Sequence, residues 1–321
     1  MLGVIVLLQS LVLAIAGPAS SPEYLPLRIA SAEGLFAREG LDVRVRTTRA
    51  EPGAAEALTQ GQADLAATSL DAILRFGPRS TRQGPRLVFG LTAAPPVALL
   101  VPASQTGLVR TVNDLPGTRV GLSSPGAPEQ MWLGWLLARA GLSVAQMWVV
   151  SHGSRGLVAA VQSGEVHSGL VPEPAASRLL AEGQARLLVD LRTPAAVAEA
   201  VGNVTLHAAV FARADRRPRD RDLGAFARAV LAAERRIAAA GAAELAARLP
   251  RRAGDDDSPG RVEATRRIYL PDGLVTADQI RETLALVRAH QPLPVTSRVP
   301  SPEELLHIEP LRRILSAPAG R

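Results

Sequence analysis

The chain has 321 residues, with 36 basic groups against 30 acidic ones, a net charge of +6, five histidines and no cysteine. Every basic side chain is arginine, because the sequence contains no lysine. A GxxxxGK[ST] phosphate loop and a pyridoxal-phosphate Schiff base both require a lysine, so both are excluded. The absence of cysteine removes thiol nucleophiles, thiolate metal sites, disulfides and a lipid-anchoring thiol.

The length suggests two cores, and the apolar content of 47% suits a globular chain. The arginines are scattered. The densest group, Arg213 to Arg221, is interrupted by Asp215, Pro218 and Asp220. No basic stripe with interleaved aromatics is present, so nucleic acid is not an expected partner. With few aromatic residues, sugar binding through stacked rings is also disfavoured.

At the amino end, Leu2–Leu8 and Leu11–Ala16 are apolar, separated by Gln9 and Ser10. The stretch is too broken for a membrane span. Ala14-Ile15-Ala16 looks like a signal-peptidase site, although no basic residue precedes the apolar run. The competing reading makes Leu11–Ala16 the first strand, ended by Gly17-Pro18.

Beyond it the periodicity alternates between helix and strand. Helices are predicted over 24–38, 54–60 and 69–76, with strands over 41–46, 63–67, 86–91 and 97–101. After a loop of small and polar residues (102–117) the pattern restarts. Strands are predicted over 119–122, 147–150, 168–171 and 185–190, interleaved with helices over 128–140, 157–163 and 174–182. A strand over 204–212 follows, then helices over 223–240 and 277–289. This is an α/β chain of mostly parallel sheets with flanking helices. Its divisions are 1–101 as a first lobe, 102–205 as a second, and 206–321 returning to the first, with two strands as the hinge. Asp255-Asp256-Asp257 reads as a solvated loop, since no calcium-ligand spacing follows.

Ser, Thr, Gly or Pro follows several predicted strands just where a helix begins. Free N–H groups at such helix starts hold small polar or anionic ligands, and ligands of open α/β sheets sit at the carboxyl ends of strands. The simpler role for each Ser or Thr is a helix cap. The set selects Ser20, Ser21, Tyr24, Thr68, Ser69 and Thr92 from the first lobe. Facing them are Ser123, Ser124, Gly126, Ala127, Ser154 and Glu173 from the second. Glu173 lies between two prolines that fix its direction and is expected to accept a ligand hydrogen bond; His152 is a further candidate. A carboxylate in the cleft disfavours nitrate or sulfonate unless an arginine such as Arg155 neutralises it, and favours a ligand with N–H donors, for instance a heterocyclic amine. Trp132, Trp135 and Leu136 share a helix face and are expected in the core. No G-x-S-x-G elbow, paired metal-binding histidines or acid/base carboxylate pair is found, so no catalytic residue, metal or cofactor is expected.

The stretch 22–43 (PEYLPLRIASAEGLFAREGLDV) resembles the signature of the substrate-binding proteins of nitrate/sulfonate/taurine-type ABC transporters, a family that also includes pyrimidine-precursor-binding and thiamine-synthesis-like proteins. ALTQGQADLA (57–66), TRVGLSSPGA (118–127) and GEVHSGLVPEP (164–174) match later landmarks in order. The resemblance implies a two-lobed type II periplasmic-binding-protein fold with a ligand in the cleft. It also implies a periplasmic or extracytoplasmic solute receptor, not an enzyme, acting as a monomer with a small-molecule ligand and a membrane permease. In such proteins a strand precedes the first ligand loop, which favours the strand reading of Leu11–Ala16. Lysine-dependent thiamine-synthesis chemistry is excluded. The alternatives are a small-molecule enzyme on the same fold and the effector domain of a transcription regulator, the latter disfavoured because no helix-turn-helix precedes the first lobe.

Overall fold

The computed structural model describes residues 9–17, 20–93, 95–123, 128–202, 205–250, 257–291, 293 and 298–317. Among these described residues ten strands form two separate sheets of five. In chain order they are β1 (Gln9–Ile15), β2 (Leu41–Thr47), β3 (Leu65–Ser69), β4 (Pro85–Thr92) and β5 (Val97–Pro102). Then come β6 (Arg119–Leu122), β7 (Trp148–Ser151), β8 (Ser168–Pro172), β9 (Ala185–Leu191) and β10 (Ala208–Arg213).

The first sheet runs β2-β1-β3-β10-β4 and the second β7-β6-β8-β5-β9. The two sheets share one plan. Three parallel strands sit at one side, and the fourth position is an antiparallel strand supplied at a crossover, β10 in the first and β5 in the second. The fold is therefore α/β and two-lobed, as the sequence indicates. The lobe boundary differs in one detail. Val97–Val101 was expected with the first lobe, but β5 pairs with β8 and β9 of the second sheet. The chain thus crosses between Thr92 and Val97. An apolar run looks the same in either sheet, so only its pairing reveals its place.

β1 lies between β2 and β3, with all seven residues in register against β2. Leu11, Leu13 and Ile15 are buried, which explains why a strand follows from this apolar segment. The predicted helix over 24–38 is broken: a short turn, Pro22–Tyr24, leads into Leu25–Ala32, and Gly34 at φ +67° separates it from Leu35–Arg38. That left-handed geometry suits glycine.

The carboxyl-terminal third is not confined to the first sheet's layer. The Asp220–Ala239 helix packs on the Leu25–Ala32 and Leu35–Arg38 helices. The Ala277–His290 helix instead packs on Pro128–Arg139 beside the second sheet. Its buried Thr283 hydroxyl also accepts the Leu206 N–H at 2.9 Å, beside the return crossover. Asp257, the described member of the acidic loop, forms a two-point pair with Arg28 rather than facing solvent alone. Trp132 is fully buried and Leu136 nearly so, while Trp135 lies under the Arg139 guanidinium at 5.5 Å.

Candidate functional site

The carboxyl ends of β1, β3, β4 and β6 carry the predicted polar residues. Because β10 is antiparallel, its first residue shares that edge in the first sheet, and His207 immediately precedes it. The organiser on the first lobe is Glu51, in the first turn of the Glu51–Thr59 helix. Its carboxylate accepts the Tyr24 hydroxyl at 2.7 Å, the Thr68 hydroxyl at 2.6 Å and the Ser69 backbone N–H at 2.6 Å. Ser69 in turn caps the Leu70–Phe76 helix, its hydroxyl accepting the Ala72 N–H at 3.1 Å. Three predicted site residues are thus tied together by one carboxylate that the sequence reading did not select.

The second lobe repeats this device. Ser123, at the end of β6, donates to Glu129 at 3.0 Å, and Glu129 occupies the first turn of the Pro128–Arg139 helix. Burial raises the pKa of both Glu51 and Glu129 above the ordinary carboxylate range.

His207 is buried, with Nε2 3.7 Å from Glu23 Oε1. Its backbone N–H donates to the Thr92 carbonyl and its carbonyl accepts the Leu70 N–H, both at 2.8 Å, so its main chain is held by both neighbouring segments. Burial pulls its pKa down, but the contact with Glu23 and the charges of Glu23, Glu51 and Glu129 outweigh that and raise it. Glu129 from the second lobe acts electrostatically on His207, and Glu23 acts on Glu129. Tyr24 is fully buried; burial, then Glu51 and Glu23, pushes its hydroxyl well above the ordinary tyrosine range, so it remains a neutral donor. Tyr269 closes the first-lobe wall by donating to the Pro22 carbonyl at 2.8 Å.

The other expected residues divide into groups. Ser20 is buried beside the first turn, and the Ser21 carbonyl accepts the Tyr24 N–H. Thr92 is a ladder residue whose hydroxyl accepts the Ala208 N–H at 3.3 Å. Ser124, Gly126 and Ala127, and the side chain of Ser154, lie outside the described residues. Arg155 is exposed on the first turn of the Gly153–Ser163 helix. His152 precedes that helix, and its Nε2 is buried with no partner among the described residues.

Glu173 departs from its expected role. Its carboxylate takes the Ser177 N–H at 3.1 Å, the Ser177 hydroxyl at 2.7 Å and Arg192 at 3.2 Å. The side chain is 2% exposed. Glu173 caps the Ala175–Ala181 helix and pins Arg192, which Asp190 grips at two points. The flanking prolines do fix its direction, but towards the lobe's own interior.

Two sheets of this plan, joined by two crossovers with polar groups gathered at their carboxyl edges, define the two-lobed binding-protein fold. Residues 21–216 match the NMT1/THI5-like family, and the chain belongs to it. A protein of Bordetella bronchiseptica RB50 is 26% identical, with a TM-score of 0.73 over 95% of this chain and 96% of that one. The alkanesulfonate-binding protein SsuA from Xanthomonas axonopodis pv. citri, bound to MOPS, is 22% identical at a TM-score of 0.66, covering 92% of this chain and 97% of its own. The desulfurization enzyme DszB shares the fold at 17% identity and a TM-score of 0.64, over 95% and 98% of the two chains. No curated protein sequence matches the chain.

Proposed function

We propose that the protein is the extracytoplasmic solute-binding component of an ABC importer, closing its two lobes on one small polar organic molecule and presenting it to a membrane permease. One observation carries this reading. Polar groups of both lobes gather at the carboxyl edges of the sheets: Glu51 receives Tyr24, Thr68 and Ser69 on the first, and Glu129 receives Ser123 on the second. A ligand held by both sets interacts with the closed form more than with the open one, and that differential affinity shifts the population towards closure. Family membership and the likeness to an alkanesulfonate-binding protein support a receptor.

DszB shows that this fold also carries chemistry, so turnover is the discriminating assay. A titration giving one bound molecule per chain, recovered unchanged after long incubation, supports the receptor. Conversion of the bound molecule to product removes it.

A further inference from the structure

After Tyr269 the chain makes an excursion whose two ends are fixed to one strand. β4 is the last strand of the first sheet, with β10 on its inner side. On its outer side the Leu270 N–H donates to the Leu91 carbonyl and the Gly90 N–H to the Gly273 carbonyl, both at 2.8 Å. The chain returns at Leu306, which bridges Leu87, and the His307 N–H donates to the Leu87 carbonyl at 2.8 Å. Two glycines make the first attachment tight. A Cβ at Gly90 would lie 2.4 Å from Val275 Cγ2, and one at Gly273, where φ is +68°, would lie 2.4 Å from Phe89 Cζ.

Between these attachments the Ala277–His290 helix rests on Pro128–Arg139, which joins β6 to β7 and so belongs to the second lobe. Gly134 meets His290 there. A Cβ at Gly134 would stand 3.1 Å from the imidazole Nδ1 and 3.3 Å from His290 Cβ, and the three nearest atoms all belong to His290. Midway along the helix the Thr283 hydroxyl accepts the Leu206 N–H at 2.9 Å, and the Thr205 hydroxyl donates to the Ala93 carbonyl at 2.8 Å. Thr205 and Leu206 lie on the return crossover and Ala93 on the outgoing one, so the helix and both crossovers form one buried row.

The helix thus reaches from the first lobe, past the hinge, to the second. Ladder bonds to β4 hold a fixed register, whereas packed helices slide on one another. Rotation of the second lobe therefore falls on the contact between Gly134 and His290. The fit of that contact enters the balance between open and closed forms and, through it, the ligand affinity.

We propose that the Ala277–His290 helix is a third connection between the lobes, a strut carried by β4 whose seat on Gly134 sets their resting separation. This rests on the receptor reading and adds a control on closure that does not pass through the polar-edge residues.

The test is a distance measurement between two spin labels on the full chain without ligand. The sequence has no cysteine, so Arg44→Cys on β2 and Glu165→Cys before β8, both exposed, give one label per lobe. Gly134→Leu favours the helix that carries it and sends its side chain at His290. Packed helix axes lie about 8–10 Å apart according to the side chains between them, so the larger side chain should open the seat by about 2 Å and shift the mean label distance by about 2 Å or more. His290→Ala removes the other half of the seat without adding bulk and should broaden the distribution. Ala138→Leu, on the exposed face of the same helix, should leave it unchanged. Superposition of either seat variant on the parent overturns the proposal, as does an equal shift from Ala138→Leu. If Gly134→Leu unfolds, His290→Ala decides alone. No ligand enters the measurement, so either result leaves the receptor reading standing; that reading falls to turnover of a bound molecule.

Discussion

Glu234 lies on the Asp220–Ala239 helix, beside buried Ala233 and one turn from buried Ile237. Both its carboxylate oxygens are buried and without a hydrogen-bond partner among the described residues. Burial first, and then the charge of Asp272, pushes its pKa up to about 9, with Arg235 offsetting only part. The folded chain therefore holds a proton there that the unfolded chain releases above its ordinary value of 4.5. A raised carboxyl pKa has a definite sign. Its contribution is fully present below pH 4.5 and is lost as pH climbs towards 9. Each unit within that window is worth about 1.4 kcal/mol, so the step from pH 5 to pH 7 removes about 3 kcal/mol. That is a large share of the roughly 5–15 kcal/mol that holds a domain folded. Glu234→Gln preserves the shape and cannot ionise. Urea unfolding of both proteins at pH 5, 6, 7 and 8 should show a gap in favour of the glutamine variant that widens by about 1.4 kcal/mol per unit. Any cost of placing an amide there is the same at every pH and leaves this slope intact. Parallel pH profiles would refute the reasoning.

Two further outcomes follow from the fold. Removing residues 1–16 deletes the strand between β2 and β3, with the buried side chains of Leu11, Leu13 and Ile15; at about 1.5–3 kcal/mol each, roughly 5–9 kcal/mol is lost. The truncated chain should fail to show a cooperative thermal transition, and an unchanged melting temperature would contradict the buried-strand assignment. Glu173→Ala leaves Ser177 N–H and Arg192 without their acceptor, so stability should fall by about 1.5–3 kcal/mol in denaturant unfolding. Ligand affinity measured on the folded fraction should change less than twofold; a tenfold loss with unchanged stability would return Glu173 to the ligand.

Much of this arrangement is legible in the residues. The period-two alternation of Leu41–Arg46, the apolar runs that became β1, β5 and β8, and the small polar residues after strands all locate sheet edges without coordinates. Pairing is less legible. Nothing in Val97–Val101 distinguishes one sheet from the other, because strands buried on both faces carry no directional pattern. Glu51 and Glu129 were overlooked because an acid in a helix's first turn ordinarily complements the helix dipole, so its residue type gives no sign of a cleft. The signal was positional: each opens the helix that follows a strand or loop at the polar edge. His207 was hidden within a run read as continuous strand, where its backbone contacts to Thr92 and Leu70, rather than its ring, made the segment look regular. Glu173 was found but misdirected, since its partner Arg192 lies nineteen residues downstream and only the fold brings them together.

The central claim is reversible capture of one small molecule between two lobes. Native mass spectrometry of the full chain, incubated with a compound that binds in calorimetry and then denatured to release it, tests that claim directly. The expected result is one molecule retained per chain and recovered with its mass unchanged. Recovery of a product of different mass, accumulating with time and protein concentration, would contradict it.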